Sequence, residues 1–360
     1  MKVQSPMERL PNLTGLRFLL AFMVVVFHIP TFCENRGFPF FNDMAVFQKG
    51  HEAVCMFFSL SGFLIIRQLF IEKSQTQTIF LRSFFIRRIL RIFPLYYLVL
   101  TFGFLYYRII LPYLGFDYQS NYDLWKGILL SYTFFPNIFA TYSPGGIIEI
   151  LWSIGIEEQF YLLIAPLIYF LPFKWITRFL LFFTTLYCIV FFSGSADFLK
   201  GYNMLFFYFS FSGFCSILSL NNTLKLQKLR YLLFILLLVY FTTSLFKNHM
   251  SYRAYEVFSM LLFGLAISGL AEKRTAVLDN KPLNYLGKIT YGIYMYHAIL
   301  MQGVGLLFLK SNIHLKIPNL ASILLFNVLV FGTTILTAHI SYNYFESYFL
   351  NLKKKLRINN

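Results

Sequence analysis

His28 follows eight apolar residues, Leu20 to Phe27, and Arg17 stands eleven residues before it in the same run. An imidazole titrates near neutrality and can take a proton from a reacting hydroxyl. On a helix, eleven residues make almost three turns, about 16 Å of rise. Both side chains can then face one cavity from its two ends. Ionisable residues inside apolar spans are costly and mark function by default; the alternative for His28 is a hydrogen bond to a neighbouring helix. A second constellation is Leu151-Trp152-Ser-Ile-Gly-Ile-Glu157-Glu158-Gln-Phe-Tyr161, with Glu149 just ahead. Adjacent carboxylates entering an apolar helix need partners or protons. They point about 100° apart, so at most one easily reaches His28, where it would fix the tautomer. The other reading is a Glu that braces the bundle through Arg or Tyr.

The stretch Arg82-Ser-Phe-Phe-Ile-Arg87-Arg88-Ile-Leu-Arg91-Ile-Phe-Pro94 places Arg88 and Arg91 at i,i+3 on one helix face. Paired guanidinium groups suit phosphate oxygens, although a cationic cytoplasmic loop would also explain the charge. Tyr291, Tyr294 and His297 recur at three-residue spacing, with a core-structural role open for His297. His51 is expected to be solvated, Glu256 and His339 carry no assignment, and Glu346 is placed to pair with an inner-loop Arg. The four Cys form no CxxC and no zinc set with the six His, so no metal site is expected. Cys33 and Cys55 both fall near the outer face; they read as buried thiols, with a disulfide as the alternative.

The elements that must carry these groups follow from composition. Of 360 residues, 58% are apolar and 21% aromatic, and only 13% are charged, about half the share of a soluble domain. Such a chain cannot cover a soluble surface and is too apolar for disorder. Apolar runs long enough to span a bilayer occur at 13–32, 51–71, 92–111, 151–171, 176–194, 202–220, 229–246, 254–270, 291–309 and 319–343. The expected fold is all-α: a polytopic membrane bundle of about ten helices. Segment 126–148, broken by Pro136, Pro144 and Gly145–Gly146, reads as interfacial or partly inserted, lining a cavity.

With the N-terminus inside, 21 of the 31 basic residues fall on the inner side. They are Lys2, Arg9, Arg67, Lys73, Arg82, Arg87, Arg88, Arg91, Lys174, Arg178, Lys225, Lys228, Arg230, Lys273, Arg274, Lys281, Lys288, Lys353, Lys354, Lys355 and Arg357. Nine fall outside or near the outer ends of spans, and Arg17 lies in the first span. The bias predicts both termini in the cytoplasm and turns the net charge of +16 into topology, with no nucleic-acid partner. The first apolar run is too long for a cleavable signal and is expected to remain as a span. Residues 1–350 read as one membrane domain and 351–360 as a short basic cytoplasmic tail.

These motifs carry a resemblance to the acyltransferase type 3 family of integral membrane acyl transferases. The matching stretches are Leu-Thr-Gly-Leu-Arg17 with His28, Val54-Cys-Met-Phe-Phe-Ser-Leu-Ser-Gly62-Phe-Leu, and Phe85-Ile-Arg-Arg88-Ile-Leu-Arg91-Ile-Phe-Pro94. They continue with Leu151-Trp-Ser-Ile-Gly-Ile-Glu157-Glu-Gln-Phe-Tyr and Tyr291-Gly-Ile-Tyr-Met-Tyr-His297, and Tyr342-Asn-Tyr-Phe-Glu346 also fits. Met295 stands where the family more often has Leu. The resemblance implies ten spans in a bacterial cytoplasmic (inner) membrane. It also implies an acyl-CoA donor, often acetyl-CoA, with no tightly bound cofactor, and a carbohydrate or lipid-linked glycan acceptor, as in envelope polysaccharide or lipopolysaccharide. It assigns His28 as base or proton shuttle, with Arg17 and Glu157 as its catalytic partners, and Arg88 and Arg91, with Arg87, as the donor site. Glu158, at a position the family varies, joins Trp152, Tyr142, Tyr291 and His297 as candidate acceptor-binding residues, the Tyr and Trp as stacking surfaces for sugar rings.

The resemblance also covers members with an appended hydrolase-like domain, and none is expected here. Completion within the membrane domain or by a polysaccharide-assembly partner is then expected, and a homo-oligomer is compatible with either. No Ser or Cys stands out as a nucleophile, so direct transfer is favoured. The rivals are a glycan or lipid flippase, which would show inverted repeats, and an inactive assembly subunit.

Overall fold

The computed structural model describes residues 10–358 except 117, 119–120, 222, 225 and 227–228, with the backbone alone for 353–358. Lys2, Arg9, Lys225 and Lys228 therefore lie outside the described residues, as do the side chains of Lys353, Lys354, Lys355 and Arg357 and the end of the tail. A helix stands at each of the ten expected positions. They are α1 (Leu13–Glu34), α2 (Gly50–Thr76), α3 (Leu81–Leu105), α4 (Trp152–Phe170), α5 (Ile176–Ser193), α6 (Phe206–Leu220), α7 (Arg230–Thr242), α8 (Tyr252–Glu272), α9 (Thr290–Ser311) and α10 (Asn319–Ile340). There is no strand among the described residues.

Among the described residues, seven helices are long and apolar enough to cross a membrane: α1, α2, α3, α5, α8, α9 and α10. Helices α6 and α7 are apolar but have only 15 and 13 residues, and α4 carries Glu157 and Glu158 near its start. The protein is thus a polytopic all-α membrane bundle. Runs without polar breaks become helices because only a helix satisfies its own backbone in hydrocarbon. Segment 126–148 is broken where its prolines and glycines stand. Its pieces are the helices Leu124–Tyr132, Pro136–Ala140 and Gly146–Glu149. Asp123 caps the first by accepting the Lys126 N–H at 2.9 Å. Gly145, at φ +98°, adopts a backbone conformation that favours glycine before the third.

The packing defines two compact units. The first holds α1 up to Phe27, Asn42–Ile79 with α2, and Phe160–Lys288. Here α2 and α6 run parallel and nearly touch: a Cβ on Gly62 would overlap the Phe209 backbone, and one on Gly213 would overlap Ile66. Helices α6 and α8 are also parallel, Tyr208 meeting Glu256 and Phe211 meeting Gly264. Helix α5 is antiparallel to α6, through Thr184–Ser210 and Tyr187–Met204 bonds of 2.7 and 2.6 Å. Helix α7 is antiparallel to α8, with Tyr240 on Ser259 and Leu233 by Gly269.

Polar residues tie this unit down. Buried Asn12 donates to the Leu270 and Lys273 carbonyls at 2.7 and 2.8 Å and accepts from the Thr275 N–H and hydroxyl. Just beyond it, Gly15 lets α1 approach the Leu278 carbonyl, where a Cβ would overlap. Buried Lys73 donates to the carbonyls of Ile168, Tyr169 and Leu171 at the C-terminal end of α4, where a helix exposes unpaired carbonyls and negative dipole.

The second unit holds His28–Phe41 at the end of α1, Phe80–Gln159 with α3 and the start of α4, and the chain from Ile289 onward. Helix α9 is its axis. It runs parallel to α3, with Tyr291 on Ile92 and Gln302 on Tyr106 and Tyr107. It runs parallel to the end of α1, with His28 against His297 and Arg36 on Gln302. Helix α10 is antiparallel to it, with Gly292 near Ala338 and Phe308 on Phe326. All four cysteines are free thiols, so no disulfide joins Cys33 and Cys55. His51 is exposed, as expected.

Candidate active site

Helix α9 presents Tyr291, Tyr294 and His297 at three-residue intervals, and each hydroxyl is used to hold the helix. The Tyr291 hydroxyl donates to the Ile92 carbonyl of α3 at 2.7 Å. The Tyr294 hydroxyl donates to the Ile150 carbonyl at 2.8 Å and lies 2.7 Å from Ser153 Oγ at the start of α4. Gly292 admits α10 on the other side; a Cβ there would stand 3.1 Å from Ala338 Cβ and 3.2 Å from Glu346 Oε1. His297 is fixed at the centre of these contacts and wholly buried. Its Nδ1 faces the Tyr294 carbonyl. A carbonyl only accepts, so Nδ1 carries the proton and Nε2 carries the lone pair. Nε2 has no hydrogen-bond partner among the described residues. The His28 ring stacks on this imidazole, centroids 5.4 Å apart and planes 29° from parallel.

The carboxylates divide as their 100° offset requires. Glu157 is half-buried, and its charge reaches Tyr291 and Tyr294 on α9. Glu158 is buried, interacts with the Arg88 charge, and leaves Oε1 without a hydrogen-bond partner among the described residues. Gln159 donates to the Phe134 carbonyl at 2.8 Å and to Asn137 Oδ1 at 2.7 Å. Gly155 permits this close approach: a Cβ there would sit 2.6 Å from Pro136 Cδ. The motif around Glu157 is therefore partly a packing device.

Arg88 lies against the Phe84 ring, its Cζ 6.0 Å from the centroid. The Arg91 charge acts on Glu346, but among the described residues no ion pair joins the two; the carboxylate instead accepts from Ser341 Oγ at 3.2 Å. Arg87 donates to Ser83 Oγ. Trp152 is half-buried at the start of α4. The Tyr142 hydroxyl accepts from Lys126 Nζ at 2.6 Å, and the same ammonium lies 4.7 Å from the ring centroid, so one face of that ring is already occupied. Arg17 is half-buried on the part of α1 that belongs to the first unit. Glu149, outside the spans, has its carboxyl raised above the ordinary range by burial, opposed by the Gly145 N–H. Among the described residues no group of three His, Cys, Asp or Glu could hold a metal ion.

Two features escaped the sequence reading. Ser153 completes the Tyr294 anchor; its only signal was a hydroxyl in a motif read for its carboxylates. Arg36, Gln302, Tyr106 and Tyr107 form a polar network two turns along α1 from His28; Arg36 had been only one of the outer charges.

A polytopic helical membrane protein with a stacked histidine pair and paired arginines beside buried carboxylates is the class defined so far. The chain matches the acyltransferase-domain family over residues 10–342, and so belongs to the type 3 acyltransferase family. It is 31% identical over 176 residues to the peptidoglycan O-acetyltransferase of Listeria monocytogenes, covering 46% of this chain and 25% of that protein. It is 33% identical over 180 residues to an O-acetyltransferase of Staphylococcus aureus, covering 47% of this chain and 26% of that one. The matched stretch thus spans about a quarter of these two relatives. A candidate acetyltransferase of Acidianus two-tailed virus is 27% identical over 311 residues, 82% of this chain and 84% of that protein. No solved structure matches the chain.

Proposed function

We propose that the protein is an integral O-acyltransferase of a bacterial cytoplasmic membrane. In this reading it moves an acyl group, acetyl by default, from cytoplasmic acyl-CoA to a hydroxyl of an envelope polysaccharide or lipid-linked glycan. The observation that carries the reading is the stacked His28–His297 pair, whose inner member keeps an unpartnered Nε2 lone pair. His28 takes the proton of the acceptor hydroxyl as its oxygen attacks the thioester carbonyl. The C–S bond then breaks, and the CoA sulfur leaves with that proton. His297, whose Nδ1–H donates to the Tyr294 carbonyl so that the lone pair sits on Nε2, offers a polarisable face to the His28 imidazolium. Its Nε2 accepts a hydrogen bond from the acceptor. Glu157 supplies negative charge to the same region, as a carboxylate does behind a catalytic histidine.

On the donor side, Arg88, Arg91 and Arg87 hold CoA phosphates, with Arg17 the cation at the donor end of α1. The pantetheine arm, about 15–20 Å when extended, matches the rise between Arg17 and His28. Glu158, Trp152, Tyr142 and Tyr291 border the acceptor in this scheme, Tyr291 also serving as an anchor. The mechanism needs no bound cofactor. Relatives that act as O-acetyltransferases, one of them on peptidoglycan, support the acyl group and the acceptor class.

Helix directions support ten spans. The parallel course of α1 and α9 requires an odd number of crossings between them. The seven helices α2 to α8 supply it, whereas the four long ones among them would not. Ten spans put both termini on one side, and the basic bias puts that side in the cytoplasm. The test uses membranes holding equal amounts of wild-type protein and His28→Ala, supplied with radiolabelled acetyl-CoA. Label should move to polysaccharide with wild type and not with the variant. Label transfer by His28→Ala at the wild-type rate would overturn the assignment, and glycan movement without acyl-CoA consumption would favour a flippase.

A further inference from the structure

Arg36 stands at the end of α1, eight residues beyond His28, on the order of 12 Å along a helix axis. Its guanidinium lies over Phe32, Cζ 3.7 Å from the ring centroid. Nη2 donates to Gln302 Oε1 at 2.7 Å and Nη1 to the Phe32 carbonyl at 3.4 Å. Gln302 is itself held: its Oε1 accepts from the Tyr106 hydroxyl, and its Nε2 donates to the Tyr107 hydroxyl, both at 3.3 Å. Tyr107 is fixed in turn by the Ile147 N–H at 3.1 Å. Gln302, Tyr106 and Tyr107 are all buried, at 9%, 4% and 4% exposure, whereas Arg36 is partly open. The arginine is thus immobilised by buried groups that carry no compensating charge.

A guanidinium has five N–H donors, and two are used here. Among the described residues no carboxylate pairs with Arg36, and the charged or ionisable groups that act on it are Tyr106, Tyr107 and Cys33 alone. A stacked, rigid fork with unspent donors and an uncancelled charge is what binds an oxyanion bidentately. Arg36 follows α1 and Gln302 lies on α9, the two helices that carry His28 and His297, so a ligand that spans about 12 Å from Arg36 reaches the histidine pair.

We propose that Arg36, supported by Gln302, Tyr106 and Tyr107, binds an anionic group of the acceptor, a carboxylate or a phosphate, and so sets which hydroxyl meets His28. This rests on the acyltransferase reading above for its catalytic consequence, but not for the binding itself. The test uses the full chain in neutral-lipid nanodiscs and three radiolabelled probes: a neutral disaccharide, the same disaccharide bearing a uronate carboxylate, and the same bearing a 1-phosphate. Equilibrium binding is measured for wild type, Arg36→Met, Arg36→Lys and Gln302→Leu, and acetyl transfer to each probe is measured alongside.

Wild type should bind at least one charged probe about tenfold or more tightly than the neutral one, the scale of a charge-assisted hydrogen bond. Arg36→Met should erase that preference and leave neutral-probe binding unchanged; Arg36→Lys should restore part of it. A preference for the carboxylate over the phosphate, or the reverse, identifies the source of the anion. Equal binding of all three probes by wild type, or an equal loss of all three in Arg36→Met, overturns the anion site. Charged-probe binding that depends on Arg36 without acetyl transfer to any probe would instead count against the acyltransferase reading and leave the anion site standing.

Discussion

Two buried polar clusters in this protein are built from similar residues and end in opposite states. In the first unit, Lys49 donates to the Tyr255 hydroxyl at 2.8 Å, and that hydroxyl donates to Glu52 Oε1 at 3.0 Å. Lys49 also lies 3.6 Å from Glu52 and 4.7 Å from the Tyr240 ring centroid, and the Tyr240 hydroxyl is itself bonded to Ser259 Oγ at 2.6 Å. Donors and acceptors there are matched within the chain. In the second unit, His297 spends its N–H on its own helix and keeps an unused lone pair beside His28. A closed network fixes helices against one another, whereas a buried acceptor kept open at a fixed position can receive a hydrogen bond from a ligand. The contrast sets a closed polar cluster of the first unit against an open one of the second.

The largest effect should fall on the open cluster. His297→Ala removes the proposed hydrogen bond to the acceptor and the face on which His28 stacks. It should lower acetyl transfer per folded molecule by about 10²-fold, the scale of a lost contact at a reacting centre together with a displaced catalytic group, equivalent to about 3 kcal/mol of barrier. Membrane yield and melting temperature should stay near wild type. Retained transfer with a lowered melting temperature would make His297 a second closed-cluster residue and erase the contrast. The closed cluster should answer the other way. Glu52→Ala strands the buried Lys49 ammonium and should cost about 3 kcal/mol of stability. Thermal unfolding in detergent reads that loss, with transfer per folded molecule unchanged. The double variant Lys49→Met/Glu52→Leu, which removes both charges, should regain most of the melting temperature.

Much of this division was visible in the residues. The ten helix positions were legible because apolar runs without breaks leave the backbone no other solution in lipid. His28, Arg17 and the Arg88/Arg91 pair stood out because charge is scarce in this chain. The stack of His28 on His297 was not legible: spacing places a side chain on a face but does not say which two helices meet. For the same reason Glu158 was ranked below Glu157, yet it is the more buried, and Arg36 passed as an outer charge until Gln302 gave it a place. Glycines were quoted as motif letters. Gly62 and Gly155 turn out to be the points where a helix meets the Phe209 backbone or Pro136 too closely for any side chain.

That closeness gives an intermediate prediction. Gly62→Ala, in the first unit, should destabilise by about 1–3 kcal/mol through overpacking, because the obstructing atoms are backbone and cannot swing aside. Gly155→Ala meets a proline ring at the start of α4 in the second unit. It should lose activity as well as stability, since it shifts the helix that carries Ser153 and Glu157. Comparing transfer per folded molecule in the two variants tests whether the second unit alone is sensitive to sub-ångström displacement.

Tyr291→Phe gives the smallest effect and the finest division between anchor and acceptor contact. The hydroxyl already donates to the Ile92 carbonyl at 2.7 Å, and removing one such bond between membrane helices costs about 0.6 kcal/mol on average. A phenylalanine keeps the ring and so keeps any stacking surface for a sugar. If Tyr291 is chiefly an anchor, the variant should lose a small amount of stability with KM for the acceptor unchanged. If its hydroxyl also meets the acceptor, KM should rise while the melting temperature falls by the same small amount. Tyr294→Phe supplies the control on the same helix: its hydroxyl contacts both Ile150 and Ser153, so its removal should loosen α4 and lower kcat. A KM effect at Tyr291 combined with a kcat effect at Tyr294 would extend the open cluster one turn along α9. Stability effects alone at both positions would confine it to the two histidines.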